Sequence, residues 1–190
     1  MNFEEIYHTN AWSGKQTRSG PGSSTMATES VAKWLSKTMQ KIGASSILDV
    51  PCGEALWVPE LPGYIGIDLV EGAVLKAREL HSNKPFFVAD ARTDRLPDTK
   101  VVFSRDFMQH LPVNEGLQVL ENFRRTRATW LIASTYVDGV NEDPESSYHA
   151  YRVNLEAEPF LLTCSNTIAD GYDERGKMRD PNKMIGVFTL

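Results

Sequence analysis

Ser46-Ile47-Leu48-Asp49-Val50-Pro51-Cys52-Gly53-Glu54, with Tyr64-Ile65-Gly66-Ile67-Asp68-Leu69 close behind, is the stretch on which the fold turns. Two short apolar runs each end on a carboxylate, and Asp49 and Asp68 lie about 20 residues apart, the spacing of a nucleotide-type βαβ unit. The first carboxylate opens into a tight Pro51-Cys52-Gly53 loop, where backbone comes close to a ligand. The second stands where an acid accepts the hydroxyls of a ribose. The pattern is that of a parallel α/β sheet holding a nucleoside-bearing cofactor. The glycine fingerprint of dinucleotide binders is missing after the first run, which disfavours a nicotinamide-dependent oxidoreductase.

Outward from this stretch the α/β alternation continues. Residues 46–50 and 64–69 predict the first two strands. Val70–Leu80 predicts a helix with Val74, Leu75 and Ala77 inward. A third strand over 86–89 ends on Asp90, and a fourth over 101–104 ends on Arg105-Asp106. A helix follows over 114–125 with Leu117, Leu120 and Phe123 on one face, then a fifth strand over 129–135. Short continuous apolar runs joined by helices indicate a parallel sheet covered on both faces. Pro59 and Pro62 leave little room for a helix in the first crossover, so it is expected to be short. Upstream, Thr25 or Thr28 can cap a helix that runs to about Ile42 and stops at Gly43. Downstream, a long polar loop over 137–150 precedes two late strands over 160–167 and 184–190, separated by a turn over 170–182. A hairpin of late strands completes a seven-stranded, Rossmann-like α/β sheet, mostly parallel with one antiparallel strand.

The first 25 residues differ in character. Turn formers dominate, yet Phe3, Ile6, Tyr7 and Trp12 are too apolar for a solvated tail. They predict a short helix near 3–8 and then an ordered segment that covers the top of a single domain spanning 1–190. With 41% hydrophobic and 24% charged residues, the 190-residue chain has the composition of one globular core. No apolar run approaches the roughly 20 residues of a membrane helix. The acidic first residues do not make a secretory signal, and two cysteines without metal-ligand spacing suit reduced thiols; a cytoplasmic location is the expectation. A net charge of −5 gives no general attraction for nucleic acid, and Arg124, Arg125 and Arg127 suit the C-terminal end of a helix dipole.

Four segments taken together carry a resemblance. They are Tyr7-His8-Thr9-Asn10-Ala11-Trp12, Ser19-Gly20-Pro21-Gly22-Ser23, Asp49-Val50-Pro51-Cys52-Gly53-Glu54 and Arg105-Asp106-Phe107-Met108-Gln109-His110-Leu111. In order and spacing the chain resembles small class I S-adenosylmethionine (SAM) dependent methyltransferases. The resemblance implies their seven-stranded fold, SAM as cofactor, and a set of contacts. Asp49, Pro51, Cys52 and Gly53 would meet the methionine part, with Trp57 in its family place. Asp68 and Leu69 would take the ribose, Asp90 and Ala91 would border the adenine, and Arg105 would line the floor. Ser19 and Gly20 would close over the cofactor from the N-terminal segment. The family loop usually reads Cys-Gly-Asp-Phe-Asn-Trp, whereas this chain has Glu54-Ala55-Leu56 before Trp57. That departure is the one feature in favour of a SAM-binding module without catalysis.

Methyl transfer from a sulfonium needs an aligned acceptor and, for a hydroxyl, a base. Asp106 and His110 stand four residues apart after the fourth strand and are the catalytic candidates. Tyr148, His149, Tyr151, Arg152 and Asn154 in the late polar loop are candidate contacts for a small polar molecule or glycan. An aromatic Asn-Pro-Pro-Tyr motif, expected for amino acceptors on bases, is missing. O-methylation of a sugar or other small hydroxyl compound is therefore the expectation. Asp106 and Asn154 offer oxygen donors of the kind magnesium prefers.

Overall fold

The structure, a computed structural model, describes residues 2–146 and 148–190; Met1 and, in the late loop, Ser147 lie outside them. Among these residues a seven-stranded sheet has the order β3-β2-β1-β4-β5-β7-β6. The strands are β1 Ile47–Asp49, β2 Tyr64–Asp68, β3 Phe86–Val88, β4 Val101–Ser104, β5 Trp130–Tyr136, β6 Cys164–Ala169 and β7 Lys183–Thr189. The pairs among β1 to β5 are parallel, and β7 runs antiparallel to both β5 and β6. This is the sheet expected from the sequence, with β7 as its reversed strand.

Alternate residues of the central strands feed two cores. Leu48, Val102, Leu131 and Ala133 face α4 (Val113–Arg125) with its Val119, Leu120 and Phe123. Ile47, Val101, Phe103 and Ile132 face the other way, toward Val31, Leu35 and Met39 of α2 (Thr25–Lys41) and Val74 and Ala77 of α3 (Glu71–Leu80). Period-two side chains between helix layers thus bury both faces, as a parallel sheet requires.

Several details differ from the sequence reading. Leu75 is 50% exposed and Leu117 37%, because the inward positions are Ala73, Val74 and Ala77 in α3 and Gly116, Val119, Leu120 and Phe123 in α4. Each leucine sits one residue, or 100°, off the buried stripe. Ser24 caps α2, its Oγ accepting from the Ala27 N–H at 3.3 Å, while the Thr28 hydroxyl donates back to the Ser24 carbonyl at 2.8 Å. Gly43, at φ +63°, follows the last turn. The β1–β2 crossover, residues 50–63, forms turns with no helix among the described residues. Phe87 and Val88 on the edge strand β3 are about half exposed, so the covering of both faces stops there. None of the described helices is long and apolar enough to cross a membrane.

Candidate active site

The carboxyl ends of β1, β2, β3 and β4 surround a cavity of about 120 Å³, roofed by the N-terminal segment. It lies where the strand order reverses on either side of β1, the usual ligand crevice of an open α/β sheet. Asp68 ends β2 with its carboxylate accepting from the Gly53 N–H at 2.8 Å and the Val70 N–H at 2.9 Å. Each oxygen keeps a lone pair for a further donor. Burial pushes Asp68 up to about 6, with the two backbone hydrogen bonds pulling it back. Gly53 has φ +55°, and a Cβ there would fall 2.5 Å from Ser19 Oγ, so a larger residue would strain the backbone and push on the cover. Asp49 ends β1, accepts from the Tyr64 hydroxyl at 2.7 Å, and is pushed up to about 7 by burial.

The N-terminal segment is ordered over the cavity. Helix α1 (Phe3–Thr9) is capped by Asn2 and brings Phe3 and Tyr7 to the lining. Trp12, Arg18, Ser19 and Ser23 follow. The Tyr7 hydroxyl and the Arg18 N–H both donate to Glu54 Oε1 at 3.1 Å, and the Glu54 N–H donates to Ser19 Oγ at 3.1 Å. Glu54 thus ties the loop to its cover.

Beneath the cavity lies a buried charge network. The Arg105 guanidinium, packed over Trp57, donates twice to Asp170 Oδ1 at 2.9 and 3.2 Å and lies 3.2 Å from an Asp106 oxygen. Lys183 Nζ meets the two Asp106 oxygens at 2.7 and 2.9 Å, and it lies 3.2 Å from Asp170 Oδ2 without hydrogen-bond alignment. Two cations balance two anions across β4, β6 and β7, which makes their burial tolerable. Asp106 sits in the left-handed region at φ +55°, held there by its N–H donating to Ser134 Oγ at 2.9 Å. Burial by itself would raise its pKa; Lys183 and Arg105 outweigh that and hold it well below the usual carboxylate range.

The sequence-predicted residues divide accordingly. Ser19, Asp49, Pro51, Cys52, Gly53, Trp57, Asp68, Leu69, Asp90, Ala91, Arg105 and Asp106 line the cavity. Gly20 is buried against Trp12 instead. Asp90 does not present a bare carboxylate: the Arg92 fork grips it, and Arg92 also reaches Glu115 at 2.6 Å. His110 stands behind the lining. Its ring packs on Trp12 and Phe3 at 5.1 and 6.4 Å between centroids, and its Nδ1 lies 3.0 Å from the His149 carbonyl oxygen. Residues 108–110 form a single 3-10 turn after Asp106.

The late loop meets the site's surroundings through backbone carbonyls. The Trp12 indole N–H donates to the Tyr148 carbonyl at 3.2 Å, and the His149 carbonyl meets His110. Arg152 turns to Asp138 and Asp180 and lies over the Tyr136 ring. Tyr151 is buried in the α4-side core. Asn154 folds the loop on itself, its Oδ1 accepting from the Glu156 N–H at 3.0 Å. The magnesium expectation fails on the donor chemistry. Asp106 is already paired with two cations and Asn154 Oδ1 is spent on the loop. Among the described residues no group of three or more His, Cys, Asp or Glu is placed to hold a metal ion. Lys183, which with Arg105 holds Asp106 ionised, and Asp170, which pairs with Arg105, gave no signal in the sequence. Phe3, Tyr7 and Trp12 gave one, as apolar residues in a segment otherwise rich in turn formers.

No family model matches the sequence, and neither does any curated protein. Solved structures do match in fold. The methyltransferase domain of bacterial CtHen1 aligns with TM-score 0.59 and 17% identity over 86% of this chain and 100% of that one. Magnesium protoporphyrin IX methyltransferase from Synechocystis PCC 6803, with bound SAM, gives 0.59 and 14% over 100% and 85%. The mitomycin 7-O-methyltransferase MmcR gives 0.56 and 15% over 78% and 50%. At these identities the likeness is one of fold: the chain has the Rossmann-like architecture of class I methyltransferases.

Proposed function

We propose that this chain is a SAM-dependent methyltransferase whose acceptor is a hydroxyl on a small polar molecule or glycan. The observation that carries the reading is the Asp68 carboxylate, fixed at the end of β2 by the Gly53 N–H of the β1 loop and facing the cavity of a methyltransferase fold. The residues present fit the cofactor. Asp68 offers an acceptor for vicinal ribose hydroxyls. Gly53 leaves room for close backbone approach, and Asp49 and Trp57 complete the loop side. Asp90 and Ala91 border the adenine in this reading, with Arg92 fixing Asp90. When bound, SAM supplies a methyl group on a sulfonium, already activated toward displacement.

The protein's own task is to exclude water, align the acceptor and take its proton. Phe3, Trp12, Phe107 and Leu111 give the cavity an apolar wall on the β4 side, on which the C–H face of a sugar ring or a flat phenol can rest. Asp106 is too strongly stabilised as an anion to accept a proton from an alcohol, and serves to orient it by accepting a hydrogen bond. His110, behind the Trp12 and Phe3 wall, is the remaining candidate for the base. A carbonyl oxygen can only accept, so Nδ1 carries a proton toward His149.

The test is transfer of labelled methyl from SAM to a panel of mono- and oligosaccharides, small phenols and RNA, preceded by titration with S-adenosylhomocysteine against NAD. Binding of S-adenosylhomocysteine but not NAD, with label appearing on an oxygen, is the expected result. Label found only on an amine or a nucleobase nitrogen would refute the hydroxyl assignment while leaving the cofactor assignment in place.

A further inference from the structure

The loop that meets the Asp68 carboxylate and the segment that roofs the cavity are joined at two consecutive peptides. Gly53 donates its N–H to Asp68 at 2.8 Å, and the next residue, Glu54, donates its N–H to Ser19 Oγ at 3.1 Å. The Glu54 side chain turns away from the cavity into the cover. There a single oxygen accepts both the Tyr7 hydroxyl and the Arg18 N–H. Glu54 is 7% exposed, so this carboxylate is taken out of water with those donors as its compensation. Tyr7 is itself wedged in place. Its ring fills the space beside Gly72 at the start of α3, where a Cβ would lie 2.8 Å from the ring. Burial and the neighbouring Glu54 raise the pKa of the Tyr7 hydroxyl, which keeps it a proton donor. Tyr7, Arg18 and Ser19 all line the cavity, so the latched segment forms part of the wall that a nucleoside-sized ligand would meet.

We infer that Glu54 is a positioning residue that latches the N-terminal cover onto the cofactor loop, so that ribose capture by Asp68 and closure of residues 7–19 occur as one event. The inference rests on the SAM reading of the site. It accounts for the glutamate at this position: its oxygen reaches the Tyr7 hydroxyl and the Arg18 N–H together, at 3.1 Å each. Closure of this kind sets the rate of ligand release rather than the chemistry.

The experiment measures the release rate of S-adenosylhomocysteine by stopped-flow displacement, together with trypsin cleavage at Lys15 and Arg18 with and without the ligand. Wild type is expected to release slowly and to be protected by the ligand. Glu54→Ala removes two hydrogen bonds to a charged acceptor and is expected to speed release about ten- to hundredfold, with protection lost. Glu54→Gln keeps an oxygen acceptor for both donors and is expected to restore release and protection to near wild type. A residue with only a structural role would lower the melting temperature of the unliganded protein and leave the release rate alone. If Glu54→Ala fails to fold, Tyr7→Phe removes one donor and keeps the ring, and should speed release severalfold. Unchanged release and protection in these variants overturn the latch. Failure of wild type to bind S-adenosylhomocysteine overturns the cofactor reading and this inference with it.

Discussion

Asp68 carries the greatest weight of any single side chain. Asp68→Ala removes a charged acceptor for two hydroxyls, which costs about 1.5–3 kcal/mol or more of binding. The variant should lose the thermal shift given by S-adenosylhomocysteine; an unchanged dissociation constant would contradict the ribose assignment. The pH dependence has a definite sign. Ribose hydroxyls favour the ionised carboxylate, so ligand binding releases the proton that Asp68 holds below about 6. Affinity should therefore rise as pH climbs through about 6 and level off above it, as calorimetry at several pH values would show. Without ligand the sign reverses. Asp49 and Asp68 hold protons more tightly folded, at about 7 and about 6, than unfolded, at 3.8. Their contribution to stability is present below about 4 and is lost as pH rises through about 6 and 7. For the chemistry, His110→Ala should keep cofactor binding, lose about 10²–10⁴-fold in turnover and flatten the pH–rate profile. Asp106→Asn should lower turnover while leaving that profile's shape. The opposite pattern would exchange the two roles.

At the scale of elements, the cover and the late hairpin each reach the site from a distance. Deleting residues 1–23 removes Phe3, Tyr7, Trp12, Arg18 and Ser19 from the lining, together with the buried Ile6. Weakened S-adenosylhomocysteine binding and newly exposed apolar surface are expected; full activity of the truncated protein would show the segment dispensable. The β6–β7 hairpin supplies Asp170 and Lys183 to the floor. Asp170→Ala leaves Arg105 buried with a depleted partner set, and loss of one member of a buried pair costs about 3–5 kcal/mol. Denaturant unfolding should show a loss of that size, far beyond a surface change. The elements themselves were legible in sequence because apolar periodicity records which faces are buried. Leu75 and Leu117 misled because a large apolar residue beside a stripe looks like part of it, while Ala73 and Gly116, small and uninformative, hold the buried positions.

Taken whole, the molecule is a sheet whose strand ends gather chemistry from segments far apart in the chain. A saturating cofactor that binds only the folded state should raise stability by about 2.7 kcal/mol at a hundredfold excess over its dissociation constant. Thermal denaturation with S-adenosylhomocysteine would measure it. EDTA should leave turnover unchanged, since Asp106 is paired with Lys183 and Asn154 Oδ1 accepts from the Glu156 N–H. The linear sequence determined the α/β class, the seven strands and their approximate bounds, and the loop that brings Asp49, Gly53 and Asp68 to one cavity. These depend on local periodicity, on turn chemistry and on two strands adjacent in both chain and sheet. Only the tertiary structure decided that Lys183, 77 residues from Asp106, holds that carboxylate ionised. It likewise decided that Glu54 binds the cover, and that the carbonyls of Tyr148 and His149 meet Trp12 and His110. The reason is physical: the state of a buried charge is set by which other charges the fold places within a few ångströms, and no spacing in a linear chain records that.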